Sequence, residues 1–240
     1  MVQSWQIIVL KRRKMNSIQK ILILSFTPLF FINATDRLGD SVEPDLQTKI
    51  ESPTPYLRSR EDLLHQLPKN GIVAEVGVQE GRLSEKILRI CNPKKLYLID
   101  CWEEQNQEDY PDIHGNQTQH EQDSKYIKVK KKFADDPRVV VIKAFSPEAS
   151  KLFEDSFFDW IYIDANHTYD AVKKDLHAWF SKVKDHGFLC GHDYTYRGEP
   201  YPIGVIPAVN EFVHDHFLNI TMLTNEEWAS YAIEKRVVRH

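Results

Sequence analysis

From residue 60 onward, short apolar runs rich in β-branched residues alternate with stretches of helical length and amphipathic pattern. Runs such as IVAEV and LYLID are apolar on both sides, which is typical of strands buried between two layers. The stretches between them predict helices that cover both faces of a parallel sheet. The predicted strands are residues 72–76, 96–100, 139–142, 160–164, 188–192, 220–223 and 228–233, and the predicted helices are residues 61–67, 83–90, 125–133, 147–153, 169–183 and 207–217.

The last two predicted strands have no helix between them, which indicates a hairpin and an antiparallel final strand. The pattern therefore predicts an α/β domain with a doubly wound, mostly parallel sheet of seven strands. Ligands of such sheets bind at the carboxyl ends of the strands, near the point where the strand order reverses.

The amino-terminal part of the chain differs from the rest. Four basic residues (11–14) precede an apolar run (21–32) of 12 residues, which is shorter than the roughly 20 residues that span a bilayer. We expect residues 1–34 to be a signal or anchor, with membrane association through residues 18–32. The alternatives are a true start at Met15 or an apolar tail. Residues 35–56 are predicted to be a linker, and residues 57–240 the functional domain.

Charge and cysteine content narrow the class of partner and compartment. The net charge of −4 gives no broad attraction to nucleic acid, so no nucleic-acid partner is expected. Cys91, Cys101 and Cys190 form no CxxC pair, which favours reduced thiols. A cytoplasmic location follows, with membrane attachment or export through the first segment as the alternatives.

The first predicted strand ends in a glycine turn, Glu75-Val-Gly77-Val-Gln-Glu-Gly81. Such a turn lets the backbone approach a ligand closely, and the following helix offers free N–H groups. Asp100 ends the next strand, where an acid can accept hydrogen bonds from ribose hydroxyls. The spacing lacks the third glycine of a dinucleotide site, and Glu75 would repel a pyrophosphate. A cationic, adenosine-containing ligand fits better; a glycine turn needed only for packing is the alternative.

A second group of polar residues follows the fourth and fifth predicted strands, in IDANHTY and GHDY. Neighbouring parallel strands place Asp164 and Asp193 about 5–10 Å apart on one rim, where with His192 they can bind a divalent cation. His167 is a candidate general base. Alternatively, Asp164 caps the next helix, Asp193 is an ordinary loop acid and His167 is exposed to solvent.

These motifs resemble class I S-adenosylmethionine-dependent methyltransferases over about residues 57–225. The segment IDANHTY and the later GHDY are most similar to macrocin-type sugar O-methyltransferases and to the cephalosporin-hydroxylase family. The resemblance implies a Rossmann-like methyltransferase fold and a cofactor held by Glu75, Gly77, Gly81 and Asp100. It implies metal ligands at Asp164 and Asp193, but His192 replaces the first acid of the relatives' pair, which favours Mn²⁺, Fe²⁺ or Zn²⁺ over Mg²⁺.

The resemblance implies O-methylation of a small-molecule hydroxyl, with S-adenosylmethionine as cofactor and with Mg²⁺ or Mn²⁺ as a candidate second cofactor. His167 and Asp164 are the predicted catalytic residues. The alternatives are a nicotinamide-dependent oxidoreductase and an inactive membrane-tethered binding module.

Residues 103–123 form a polar stretch with almost no apolar side chains, so the stretch cannot bury a face of its own. Because it starts at the carboxyl edge of the sheet, we expect a mobile lid that contacts ligands through Tyr110 and Ile113. The alternative is an inert surface insertion.

Overall fold

The computed structural model describes residues 56–195 and 203–236, which lie in one compact unit spanning Ile50–His240. The predictions for residues 1–34, for the apolar run within them and for the linker up to residue 55 lie outside the described residues. Within the described part of the chain, no helix is long and apolar enough to cross a membrane.

Strands and helices alternate along the described chain in the order that the hydrophobic pattern predicts. The strands are β1 (Tyr56–Leu57), β2 (Ile72–Val76), β3 (Lys95–Asp100), β4 (Val139–Lys143), β5 (Phe158–Ile163), β6 (Val183–Gly191), β7 (Ile220–Thr224) and β8 (Tyr231–Glu234). The helices are α1 (Arg60–Gln66), α2 (Arg82–Cys91), α3 (Gln119–Lys132), α4 (Ser146–Ser150), α5 (Tyr169–Phe180) and α6 (Val205–Asp215).

In the described residues these strands form one sheet of eight, in the order β1-β7-β8-β6-β5-β2-β3-β4. All neighbouring pairs are parallel except those of β8, which is antiparallel to both β6 and β7. The predicted doubly wound sheet and its antiparallel last strand are therefore confirmed. The two-residue β1, at the edge beside β7, is the additional strand.

Successive residues of each central strand point to opposite faces of the sheet, and each face is covered by helices. On one face, Trp160 of β5 packs in a buried cluster with side chains of α1, α2 and α3. On the other face, Ile161 packs with side chains of α4, α5 and α6. The strand order reverses between β2 and β5, so the carboxyl ends of these two strands mark the expected ligand crevice.

Two element boundaries differ from the predictions by about five residues or more. Helix α3 begins at Gln119 rather than at residue 125, so residues 119–123 are helical and do not belong to a lid. Strand β6 begins at Val183, whereas the sequence predicts a helix to residue 183 and a strand only from 188. The start of β6 carries the polar residues KDH, which hide it from a hydrophobic pattern.

Candidate functional site

The glycine turn after β2 lies at the reversal point of the sheet and packs against the loop after β5. Gly77 has φ 89°, and a β-carbon there would lie 1.9 Å from the carbonyl oxygen of Asp164. Gly81 has φ 72°, and a β-carbon there would lie 2.8 Å from the ring of Phe133. Both glycines are therefore required by close packing as well as by backbone conformation.

The carboxylate of Asp100 organises this turn from the end of β3. Its Oδ2 accepts hydrogen bonds from the backbone N–H groups of Val78 (2.8 Å) and Gln79 (2.9 Å). Its Oδ1 accepts one from the N–H of Trp102 (2.9 Å). A carboxylate has about four acceptor positions, so Asp100 shapes the turn while retaining capacity for a ligand.

Glu75 is buried under the turn, with 1% of its surface exposed. Its carboxylate accepts a hydrogen bond from the hydroxyl of Ser84. Burial raises the pKa of Glu75 to about 8 against the opposing effect of the Ser84 hydrogen bond, and the negative charge of Asp164 adds to the increase. Glu75 is therefore largely protonated at neutral pH until a cation approaches it.

Asp164, His167 and Asp193 meet where the loops after β5 and β6 come together. The Nε2 atom of His167 lies 3.3 Å from Oδ1 of Asp164 and 3.1 Å from Oδ2 of Asp193. One ligand atom from each residue lies within 4.8 Å of the other two. Asp164 does not cap α5, whose N-cap is Thr168. The sequence-based expectation that the two acids share one rim is confirmed.

The charges of this cluster stabilise one another. Burial lowers the pKa of His167, but the hydrogen bond with Asp164 and the negative charge of Asp193 outweigh it and raise the pKa to about 9. Burial raises the pKa of Asp164, but the His167 hydrogen bond and the charges of His192 and Arg60 hold it well below its usual range. The imidazole is therefore protonated at neutral pH, unlike a histidine with the ordinary pKa.

His192 lies beside the cluster. Its Nδ1 is 2.9 Å from Oδ2 of Asp193 but 3.8 Å from Oδ1 of Asp164. Asp193 has a left-handed backbone, with φ 57°, a conformation in which Asp is more frequent than most residues. In the described residues, the candidate metal-binding group consists of Asp164, His167 and Asp193 rather than the predicted set with His192.

Two charged residues that the sequence did not single out complete the cluster. Arg60, the first residue of α1, donates to Oδ2 of Asp164 at 3.3 Å and lies over the ring of Tyr162 at 5.5 Å. Oδ2 of Asp112 lies 3.9 Å from Nδ1 of His167, whereas the other two acids lie against Nε2. No local motif marks either residue, because both approach the cluster from segments distant in sequence.

The loop of residues 101–118 crosses the carboxyl edge of the sheet. Trp102 is fully buried at its base and donates from Nε1 to the carbonyl of Gln79. The side chain of Asn116 donates to the carbonyls of Gln105 and Tyr110, which closes the loop on itself. Ile113, predicted to contact a ligand, is 56% exposed. This loop is therefore internally bonded, and its Tyr110 rather than Ile113 faces the site.

In the described part of the chain, three cavities lie in a row along this edge. The first, of about 450 Å³, is lined by Asp100, Tyr110, Ser146 and Asn166 among others. The second, of about 410 Å³, is bounded by Glu75, Arg60 and His167 and shares Gly77, Asp164 and Tyr110 with the first. The third, of about 450 Å³, shares Arg60 with the second and is walled by His192 and Trp228.

The cysteines take no part in the cluster. Cys91 and Cys190 are buried in the core, and all three thiols are free. Cys101 lines the first cavity, where burial raises its pKa to about 11. A neutral thiol is a poor nucleophile, so Cys101 acts as a wall of the cavity.

Comparison with known proteins identifies the relatives of this arrangement. A family model described as a methyltransferase domain matches residues 74–194, from β2 through the cluster. No curated protein sequence matches the chain.

Solved structures share the fold at low sequence identity. A candidate rRNA methylase from Clostridium thermocellum is 14% identical, with a TM-score of 0.54, over 75% of this chain and 94% of that one. A methyltransferase from Streptococcus mutans, solved in complex with SAH, is 17% identical, with a TM-score of 0.50, over 73% and 94%. An S-adenosylmethionine-dependent methyltransferase from Aquifex aeolicus is 14% identical, with a TM-score of 0.52, over 74% and 90%.

Proposed function

Because the chain belongs to the methyltransferase family whose domain spans residues 74–194, we propose that it methylates an oxygen of a small molecule at the cluster of Asp164, His167 and Asp193. The chain is an S-adenosylmethionine-dependent methyltransferase of class I, with the fold of that class. The observation that carries the finer proposal is the cluster itself, which sets an imidazole between two carboxylates beside the glycine turn.

We assign the adenosine part of the cofactor to the first cavity and its amino-acid part to the second. Asp100 lines the first cavity and has capacity for a ribose hydroxyl, and the backbone of Gly77 separates the two cavities. Glu75 lines the second cavity, where its buried carboxylate would attract an ammonium or a sulfonium group. With this assignment the transferred methyl group would lie beside the cluster, because the two cavities share Gly77 and Asp164.

The residues of the cluster also fit a divalent cation. Their ligand atoms are close enough to share one ion, and two carboxylates with an imidazole are a donor set suited to Mn²⁺, Fe²⁺ or Zn²⁺. Asp164, His167 and Asp193 would hold the ion, with His192 supporting Asp193. When bound, it would act as a Lewis acid that lowers the pKa of an acceptor hydroxyl.

The residues of the chain itself supply the proton transfer. When no cation occupies Nε2, His167 in its neutral form can accept the hydroxyl proton at that atom, and the carboxylates of Asp164 and Asp193 stabilise the resulting imidazolium. The oxygen then forms a bond to the methyl carbon as the carbon–sulfur bond breaks. Most of the remaining acceleration comes from holding the two reactants in line.

The acceptor is assigned to the third cavity, which opens beyond Arg60 and His192 and includes the indole of Trp228. A cavity of about 450 Å³ has the size of sites for small ligands. The net charge of −4 and the acids of the cluster oppose a phosphate backbone. A small-molecule acceptor is therefore favoured over RNA, although two structurally similar proteins are described as a candidate rRNA methylase and a tRNA methyltransferase.

The test is transfer of a radiolabelled methyl group from S-adenosylmethionine to two acceptor pools, a small-metabolite extract and total RNA. We expect label in the metabolite pool, lost in Asp164→Asn and Asp193→Asn and reduced by EDTA. Label in RNA alone would refute the small-molecule proposal. Full turnover in EDTA would refute the metal and leave His167 as the base.

A further inference from the structure

The loop of residues 101–118 is fastened to the loop after β5 by three contacts. The Tyr110 hydroxyl donates to the carbonyl of Ala165 at 3.4 Å, and the Asn166 side chain donates to the carbonyl of Asp109 at 2.9 Å. The third contact is the carboxylate of Asp112, 3.9 Å from Nδ1 of His167. One loop thus reaches the imidazole ring and its two preceding residues.

Asp112 is held firmly enough to orient a neighbour. Only 7% of its surface is exposed, and its Oδ1 accepts the N–H of His114 at 2.7 Å. Its own carbonyl accepts the N–H of Asn116, also at 2.7 Å. Its other oxygen, Oδ2, lies 3.9 Å from Nδ1 of His167, whereas Asp164 and Asp193 lie against Nε2. At 3.9 Å this contact is an ion pair rather than a hydrogen bond. Its negative charge favours a proton on Nδ1, which leaves Nε2 as the atom that can bind an ion.

The same loop forms part of the cofactor wall. Gln105, Tyr110 and Gly115 line the first cavity together with Asp100. At the base of the loop, the backbone N–H of Trp102 donates a hydrogen bond to Asp100. Its indole Nε1 donates another to the carbonyl of Gln79 in the glycine turn. A ligand that fills the first cavity therefore contacts the loop that carries Asp112.

We propose that Asp112 is a positioning residue that orients His167 and couples occupation of the cofactor cavity to cation binding at Asp164, His167 and Asp193. This inference rests on the proposed function, because it takes those three residues as the cation site. Coupling between two sites is reciprocal, so the cofactor should strengthen cation binding and the cation should strengthen cofactor binding to the same degree.

The experiment is a calorimetric titration of the whole protein with Mn²⁺, without and with saturating S-adenosylhomocysteine. This product lacks the sulfonium charge, so it does not repel the cation directly. In the wild type we expect the homocysteine compound to tighten Mn²⁺ binding by about fivefold or more. In Asp112→Asn we expect Mn²⁺ to bind about 10–100-fold more weakly, with coupling below about twofold.

Two further variants separate positioning from general damage. Glu103→Gln makes the same charge change on an exposed side chain of the same loop and should retain wild-type coupling. Asp112→Glu keeps the carboxylate and should restore part of the coupling, and it replaces Asp112→Asn if that variant does not fold.

The outcomes distinguish this inference from the proposal on which it rests. Tight Mn²⁺ binding with unchanged coupling in Asp112→Asn would overturn the role of Asp112 and leave the cation site standing. Mn²⁺ binding that is insensitive to S-adenosylhomocysteine in the wild type would have the same effect. Absence of Mn²⁺ binding in the wild type would overturn both.

Discussion

Gly77 packs directly against Asp164: a β-carbon at position 77 would lie 1.9 Å from the carbonyl oxygen of Asp164. The turn that bounds the cofactor cavity and the loop that carries the cluster are therefore in backbone contact. The N–H of Asp164 also donates to the carbonyl of Val76 at 2.7 Å, so neither loop can move without the other.

Gly77→Ala should disrupt both loops, because the added methyl group meets backbone rather than a flexible side chain. A left-handed φ adds a further cost of about 1 kcal/mol. We expect a lower Tm and loss of measurable S-adenosylhomocysteine binding, followed by thermal denaturation and calorimetry. A variant with wild-type Tm and affinity would show that the contact is not needed.

Asp100→Ala should weaken S-adenosylmethionine binding by about 1.5–3 kcal/mol, the scale of a lost charge-assisted hydrogen bond. The loss has two sources, since Asp100 both orders the glycine turn and faces the first cavity. Calorimetry measures the change, with the exposed Glu103→Ala as control. Unchanged affinity in a folded Asp100→Ala protein would remove Asp100 from the site.

Glu75 should make cofactor binding depend on pH. Its pKa of about 8 in the free protein means that a bound ammonium group must first displace a proton. S-adenosylhomocysteine affinity should therefore rise with pH up to about 8 and release a proton on binding. Calorimetry in two buffers of different ionisation enthalpy measures the number of protons released on binding. Glu75→Gln should bind more weakly with no pH dependence; proton release that persists in this variant would assign it to another group.

Asp175 should make stability fall as pH rises. Burial raises the pKa of this α5 residue to about 7 despite a hydrogen bond from Ser146, whereas the unfolded value is about 3.9. The resulting contribution to stability is fully present below about pH 4 and is lost as pH rises through about 7. Asp175→Asn should remove this loss, by an amount on the order of 4 kcal/mol at pH 8. Denaturant unfolding of the wild type and of Asp175→Asn at several pH values tests this prediction. It would be contradicted if the free energy of unfolding changed with pH in the same way in both proteins.

The loop of residues 101–118 should become better ordered when ligand binds. Its contacts with the cofactor cavity predict slower hydrogen exchange over residues 103–118 after cofactor is added. Asn116→Ala, which removes two hydrogen bonds within the loop, should raise exchange in the free protein. Exchange that stays fast in the complex, with full activity after the loop is shortened, would favour an inert insertion.

Most of the fold could be predicted from the sequence, because hydrophobic residues repeat with a different period in strands and in amphipathic helices. The helix start at Gln119 was missed because it lies in a polar stretch. Its signal was nevertheless present: the Glu121 carboxylate accepts hydrogen bonds from the N–H and the hydroxyl of Thr118. A Thr-x-x-Glu sequence is a known helix-start pattern, and here it outweighs the absence of apolar residues.

The candidate site could be predicted from the sequence only in part. Asp164 directly follows β5 and Asp193 lies two residues after the end of β6. Both were identified because neighbouring strand ends share an edge. Arg60 and Asp112 reach the same cluster from a helix start and a long loop, whose paths depend on tertiary packing. The choice between His167 and His192 likewise depends on side-chain direction, which strand spacing does not fix.

The place of β8 in the sheet has a consequence for how the protein matures. This strand follows all other described strands in sequence yet lies between β6 and β7. Until it is synthesised, both neighbours expose unpaired edges that can join other chains. Its arrival also brings the carbonyl of Ala229 to the N–H of Tyr194, next to Asp193. A nascent chain can therefore assemble the glycine turn early, but it gains the second acid of its cluster only when the last strand is inserted.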